Sequence, residues 1–358
     1  MTAPLRPTRV GVIGCGTIAY WTHLRVLAGL RDVELIAAAD PDPAARARAS
    51  RVCRATVHDD AAALLARDDL DAVVLCPPTP ALAGAAVAAS RRGLPFYVEK
   101  PFATAADEAH AVTDAATRAG VTAVVGYNRR LHPVHERARE LLRAGRIGRV
   151  RAVHTAFCEP APVDALAGWK RRRATGGGAL LDLASHHVDL VRWMLGDEVG
   201  TVDARLASEH SEHDTASLDL RTRGGVEVHG TFSFRVGPAD WLTFLGERGT
   251  LHVDRFRCAL ELRAPRRFGY GLRRVALPPR PADAPWRLLR VVRPSLDPSY
   301  ARALAAFVAE LRGGPARCAR LADGVRTLAV LLAAEESGRR GRPVDVPAAV
   351  ADADPARD

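Results

Sequence analysis

Val10-Gly11-Val12-Ile13-Gly14-Cys15-Gly16-Thr17-Ile18-Ala19 is the stretch whose reading decides the fold. Four apolar-rich residues read as a strand. Two glycines read as a turn, and the residues after them as a helix start. Gly14 permits a tight turn, Gly16 lets the backbone come close to a pyrophosphate, and Ala19 keeps helix and strand close. The amides at the start of such a helix suit an anion. The glycine spacing alone is a weak signal; its place after the first strand strengthens it. Asp40, at the end of the next apolar run, stands where a carboxylate accepts hydrogen bonds from an adenosine ribose. It would repel a 2′-phosphate, so NAD is expected over NADP. Arg46 and Arg48 follow on the next helix rather than directly after Asp40.

Outward from that stretch, apolar runs at Val33–Ala39, Ala72–Leu75, Phe96–Val98 and Thr122–Val125 alternate with Ala-rich helical segments. Near-continuous apolar strands separated by helices predict a doubly wound parallel sheet buried on both faces. Residues 1–127 are therefore read as a nucleotide-binding domain. The pattern then changes. Pro133–Ala144 reads as a helix ending at Gly145. Thr201–Leu206, Ser217–Thr222, Val226–Phe234 and Thr250–Val253 alternate with period two, and Gly224-Gly225 suits a hairpin turn. Residues 128–358 are read as an α+β domain with a large, mostly antiparallel open sheet. Within it, Arg263–Pro298 reads as long loops with short strands. Tyr300–Leu311 and Leu321–Glu336 read as helices, and the tail beyond Pro347 as frayed.

At 358 residues the chain is long enough for two domains, and its 48% hydrophobic and 26% charged content is ordinary for a globular protein. No apolar run approaches a membrane span, and Met1–Arg9 lacks the apolar stretch of a signal peptide. The six cysteines are scattered, without a CxxC pair or a His at metal-ligand spacing. They are read as reduced thiols of a cytoplasmic protein with no metal site. The net charge of +10 raises the question of nucleic acid. Yet the arginines are spread along the chain, and the one short basic cluster, Lys170–Arg173, has no interleaved aromatic residues for stacking. Nucleic acid and membranes are set aside as partners.

Of the 51 basic residues only two are lysines, Lys100 and Lys170. An ammonium can lose its proton in a suitable environment, whereas a guanidinium effectively cannot. Lys100, in Glu99-Lys100-Pro101 at a strand end, is thus a candidate for proton chemistry. In the second half, Gly176-Gly177-Gly178 precedes Asp182, His186 and Asp189, spaced four and three apart on one helical face. A carboxylate beside an imidazole orients it and favours its charged form, which makes His186 a candidate proton donor and acceptor. His187 points about a quarter-turn away and is the weaker candidate.

Together these residues resemble the Gfo/Idh/MocA oxidoreductases, over nearly the whole chain. The resemblance runs through Gly14–Ala19 with His23, Asp40, Glu99-Lys100-Pro101, Gly126-Tyr127-Asn128-Arg129-Arg130 with Pro133, and Gly145–Gly148. It continues through Gly176–Asp189, Leu245–Thr250 and the helix before Gly313-Gly314. The glycine turn alone is unspecific; the Glu-Lys-Pro and Asp-to-His segments together are specific. Three positions depart from the family pattern: Ala184 replaces a usual Gly, Leu82 a common His, and Pro77 a common Thr.

The resemblance implies a Rossmann domain and hydride transfer between NAD and a secondary alcohol or ketone of a sugar, polyol or cyclitol. It implies Lys100, Asp182 and His186 as catalytic residues; Trp169 and Lys170, just before the glycines, are read beside it as reaching the substrate from a mobile loop. It implies cofactor contacts at Gly14, Gly16, Thr17, Ile18, Asp40, Pro78, Glu99 and Asn128. It also implies a homodimer or homotetramer built on the C-terminal sheet. Two rival activities share the fold: glycoside hydrolysis by transient oxidation with a tightly held cofactor, and non-catalytic cofactor-binding regulation.

Overall fold

The computed structural model describes residues 6–52, 55–161, 166–265, 272–276 and 297–348. The chain divides into two compact units, Met1–Leu131 with Pro298–Gly324, and His132–Asp297 with Val325–Asp358.

The first unit is built on a parallel sheet of β1 (Thr8–Ile13), β2 (Val33–Ala39), β3 (Thr56–His58), β4 (Ala72–Leu75), β5 (Phe96–Val98) and β6 (Ala123–Val125). The strand order is 3-2-1-4-5-6, with Ala319–Arg320 added antiparallel at the β6 edge. This is the doubly wound order in which ligands bind at the carboxyl ends of the strands, where the order reverses beside β1. β1 lies between β2 and β4, and Val10 and Val12 are wholly buried. Pro298–Gly324 departs from a simple division at residue 127. Ala303, Leu304, Phe307 and Val308 of the helix Pro298–Leu311 share one core with Val10, Leu24, Leu27 and Tyr97. Burial of that apolar face returns the segment to the first unit.

The second unit carries a nine-stranded sheet. Its labelled strands are β7 (Val150–Cys158), β8 (Val199–Ala207), β9 (Thr215–Thr222), β10 (Glu227–Ser233), β11 (Ala239–Gly246), β12 (Gly249–Asp254), β13 (Ala259–Pro265) and β14 (Leu272–Ala276). Their order is 14-13-12-11-7-10-9-8, with Val344–Asp345 beyond β8. Neighbours are antiparallel except β7 and β10, so the sheet is mostly antiparallel as its alternation predicts. β9 and β10 form the Gly224-Gly225 hairpin, with Gly225 at φ +85°. The inward residues Leu218, Leu220, Val228 and Phe232 are buried, and the turn Leu180–Ala184 packs on β7, β9 and β10. Of the predicted loop Arg263–Pro298, part is strand β13 and β14; residues 266–271 and 277–296 lie outside the described residues. Among the described residues, no helix is long and apolar enough to cross a membrane.

Candidate active site

In the first unit the glycine turn follows β1 directly. Gly14 has φ +87°, and a Cβ there would stand 2.4 Å from the Pro77 backbone nitrogen. Only glycine fits such a turn. A Cβ on Gly16 would project into open space, with no atom within 4 Å, which leaves a cradle beside the backbone. The helix begins at Thr17, and Ala19–His23 forms a π-helical turn before Leu24–Gly29. Thr17 and Ile18 therefore supply first-turn amides, which the helical ladder itself cannot satisfy. Pro77's place in the family pattern is thus filled by a residue whose backbone packs against Gly14.

Asp40 closes the turn from the β2 side. Its Oδ2 accepts the Cys15 amide at 2.7 Å, and its Oδ1 accepts the Asp42 amide at 2.8 Å. A carboxylate has about four lone-pair positions, so a diol can still be accepted. Arg46 donates to the Asp40 and Pro41 carbonyls at 2.8 and 2.9 Å, which commits its guanidinium to the backbone. Pro78 is exposed and caps the helix Thr79–Arg91. These residues fit a dinucleotide: an open glycine, helix-start amides and a carboxylate at the neighbouring strand end.

Glu99 and Lys100 follow β5. Glu99 is nine-tenths buried, and its Oε1 lies 2.7 Å from His23 Nε2. Its Oε2 accepts the Lys100 amide at 3.2 Å. The pair ties the helical turn after the glycines to the residue that precedes Lys100. A Cβ on Gly126 would come within 3.1 Å of the Tyr97 hydroxyl and 3.2 Å of Glu99 Oε2, so the glycine at the β6 end makes room for this cluster. Asn128 is buried and donates to Ser299 Oγ at 2.7 Å; its side-chain oxygen and the Tyr97 hydroxyl are buried with no hydrogen-bond partner among the described residues. Nearby thiols are held protonated. Burial pushes Cys76 and Cys318 up, the latter to about 12, with Glu99 and Glu310 respectively adding to the effect.

In the second unit, Trp169 and Lys170 lie in the turn Gly168–Arg171. A Cβ on Gly177 would sit 2.3 Å from the Lys170 carbonyl oxygen, and the Gly178 amide donates to that oxygen at 3.1 Å. The glycines are therefore a bed for the Lys170 backbone. Lys170 Nζ stands 2.7 Å from Asp182 Oδ2 and 5.5 Å from the Trp169 ring. Asp182 belongs to a π-helical turn, Leu180–Ala184, that runs into the helix Ser185–Leu195. π-helical turns recur at functional sites. His186 is only 6% exposed, with the Phe157 ring edge-on at 6.2 Å. Asp189 is buried on the same helix. Lys100 thus belongs to one unit, and Asp182, His186, Trp169 and Lys170 to the other. Among the described residues no cluster of three or more His, Cys, Asp or Glu could hold a metal.

Residues 8–127 match the oxidoreductase family with an NAD-binding Rossmann fold, and residues 135–252 match the Gfo/Idh/MocA C-terminal domain. The chain belongs to the Gfo/Idh/MocA family. An inositol 2-dehydrogenase of Acidothermus cellulolyticus is 30% identical over 255 residues, 69% of this chain and 72% of that one. A dTDP-3,4-didehydro-2,6-dideoxy-alpha-D-glucose 3-reductase of Saccharopolyspora spinosa is 30% identical over 260 residues, 70% and 75% of the two chains. The WlbA dehydrogenase of Bordetella pertussis, solved with NADH and UDP-GlcNAcA, shares the fold with a TM-score of 0.81 at 24% identity, covering 96% of this chain and 99% of that one. This Gfo/Idh/MocA member is accordingly an NAD-binding oxidoreductase of the dehydrogenase type, acting on CH–OH groups.

Three features of the site escape a linear reading. The Glu99–His23 pair joins residues 76 apart, and the Lys170–Asp182 pair spans a loop. The third is a buried chain around His187. The isolation of Lys170 in composition was the one signal pointing toward the second.

Proposed function

We propose that this protein transfers hydride between NAD and a secondary alcohol or ketone of a sugar, polyol or cyclitol. The observation that carries this reading is a dinucleotide turn completed by Asp40 in the same chain as Lys100, Asp182 and a buried His186. NAD⁺, when bound, supplies the hydride acceptor. Gly14, Gly16, Thr17 and Ile18 would hold its pyrophosphate, Asp40 its adenosine ribose, and Pro78, Glu99 and Asn128 its nicotinamide half.

In the oxidation direction, His186 takes the hydroxyl proton on a ring nitrogen. Asp182 holds the imidazole and balances the charge it gains. Lys100 donates a hydrogen bond to the same oxygen and stabilises negative charge that develops there. In the reverse direction the same groups return the proton to the oxygen of a ketone. Trp169 and Lys170 border the substrate, and Lys170 pairs with Asp182. The enzyme works in the cytoplasm as a homodimer or homotetramer. The outward residues of the second unit's sheet, among them His154, Asp219 and His229, form the assembling face.

The test is absorbance at the reduced-nicotinamide band with NAD⁺ or NADP⁺ and a panel of cyclitols, hexoses and amino sugars, together with the reverse assay on their ketones. NAD-linked signal with one substrate class is expected. A flat trace in both directions would overturn the reading.

A further inference from the structure

We infer that the loop of residues 208–214, between β8 and β9, is a latch on the segment that carries Lys170, and that Glu212 is a positioning residue for the Lys170–Asp182 pair. Its effect on turnover depends on the proposed role of Asp182; the latch itself does not.

The segment needs holding from outside. It consists of two short 3-10 turns, Gly168–Arg171 and Arg173–Thr175, a geometry with few and poor hydrogen bonds of its own. Its basic side chains serve as anchors. Lys170 Nζ donates to Asp182, Arg171 Nε donates to the Leu166 carbonyl at 3.2 Å, and Arg173 donates to both carboxylate oxygens of Glu335, from the helix Leu321–Arg340. Three of the four basic residues at 170–173 are therefore bound to this chain itself.

The loop completes the hold through backbone. The Glu212 amide donates to the Arg171 carbonyl at 3.0 Å, and Glu212 Oε2 accepts the Arg173 amide at 2.5 Å. One residue thus brackets Arg172 from both sides. The next, His213, offers its carbonyl to the Ala179 amide at 2.7 Å, and the Gly178 carbonyl accepts the Asp182 amide at 3.0 Å. A Cβ on Gly178 would lie 2.9 Å from the Glu212 carbonyl oxygen, so the glycine lets the loop come this close. The loop meets the backbone on both sides of the pair: at residues 171 and 173 beside Lys170, and at residues 178 and 179 before Asp182. A lysine ammonium rides on a flexible four-carbon stem, so its 2.7 Å contact with Asp182 depends on where the two backbones are held.

The loop has the rigidity for this. Oδ2 of Asp214, a residue 1% exposed, accepts the amides of Glu209, His210 and Ser211 at 3.1, 2.7 and 3.2 Å. Ser208 Oγ accepts the His213 amide at 2.9 Å, and the Asp214 carbonyl accepts the Phe234 amide at 2.9 Å, which ties the loop to the end of β10. His213 holds φ +51°, a left-handed conformation that a residue with a side chain keeps only where its surroundings fix it.

The exposed Glu212 is the residue to change, since loss of the buried Asp214 carboxylate threatens the fold itself. Residues 170–173 are four consecutive trypsin sites, so brief digestion of the native full-length protein, read by mass spectrometry, reports opening of the segment directly. Cleavage there should be about 10-fold faster in Glu212→Ala, which loses a charge-assisted hydrogen bond, and within about twofold of wild type in Glu212→Gln, whose amide oxygen still accepts from Arg173. Equal cleavage of Glu212→Ala and wild type would overturn the latch. Steady-state rates test the action on the pair. Glu212→Ala should lower kcat about fivefold with the KM for NAD unchanged, and in a Lys170→Met background it should cost less than about twofold more. The full fivefold loss in that background would overturn positioning through Lys170. Cleavage is read without turnover, so absence of dehydrogenase activity would count against the proposed function and leave the cleavage test of the latch in force.

Discussion

The candidate residues of the two units are of different kinds. The first offers mostly backbone: an open glycine, helix-start amides, and a carboxylate that itself accepts the Cys15 amide. The second works with side chains on one helix start, steadied by Lys170 against Asp182 and by the His187 chain. Backbone recognition depends on conformation, so it fails through strain. Side-chain chemistry depends on proton affinity and charge, so it fails through substitution with the fold intact. Lys100 sits on the first unit but belongs with the second in kind.

The sharpest break of that contrast is Gly14→Ala. Its Cβ would meet backbone at 2.4 Å, in a left-handed conformation, so something must move. We expect a loss of about 2 kcal/mol or more in denaturant unfolding, with NAD affinity lost alongside. Lys100→Arg should behave oppositely. Stability and NAD affinity stay near the wild-type values, while turnover falls on the order of 100-fold, because a bulky non-titrating fork replaces a compact donor. Paired calorimetry and steady-state rates check both.

Asp40→Ala lies between the two classes. Loss of its carboxylate removes both a ribose acceptor and the repulsion of a 2′-phosphate. The ratio of NAD to NADP efficiency should fall by about 10-fold. The smallest effect concerns Asp71, which has no part in either class. The Arg6 guanidinium lowers its pKa to about 2. A depressed carboxylate stabilises the fold above its unfolded pKa near 4, and this stabilisation is lost as pH falls through about 2. Asp71→Asn should therefore lower the melting temperature slightly at pH 7, by roughly 2 °C or less since the pair is solvent-screened, with the gap closing in acid.

The same contrast explains what could be read from sequence. The first unit's strands are apolar runs, and its turn is written in glycines, so fold and cofactor end were legible. β8, β9, β10 and β12 were largely legible from alternation. β11 was not, because Asp240 occupies one of its inward positions, where a strand pattern calls for an apolar residue; its pairing with His187 and Arg255 makes that burial tolerable. The return of Pro298–Gly324 to the first unit was also hidden. An apolar helix face announces that it will be buried, not against what. Lys100, Asp182 and His186 stood out as residue types in a spacing. The contacts around them did not, because the pairs His23–Glu99, Lys170–Asp182 and His187–Asp240 are made by turns and sheet register rather than by sequence proximity.

The central claim is that His186 moves the substrate proton while the first unit binds cofactor independently of it. It is tested most directly by His186→Gln, with NAD binding and turnover measured on the same sample. NAD affinity within about threefold of wild type and turnover reduced on the order of 1,000-fold is the predicted result. Turnover within tenfold of wild type would contradict the account.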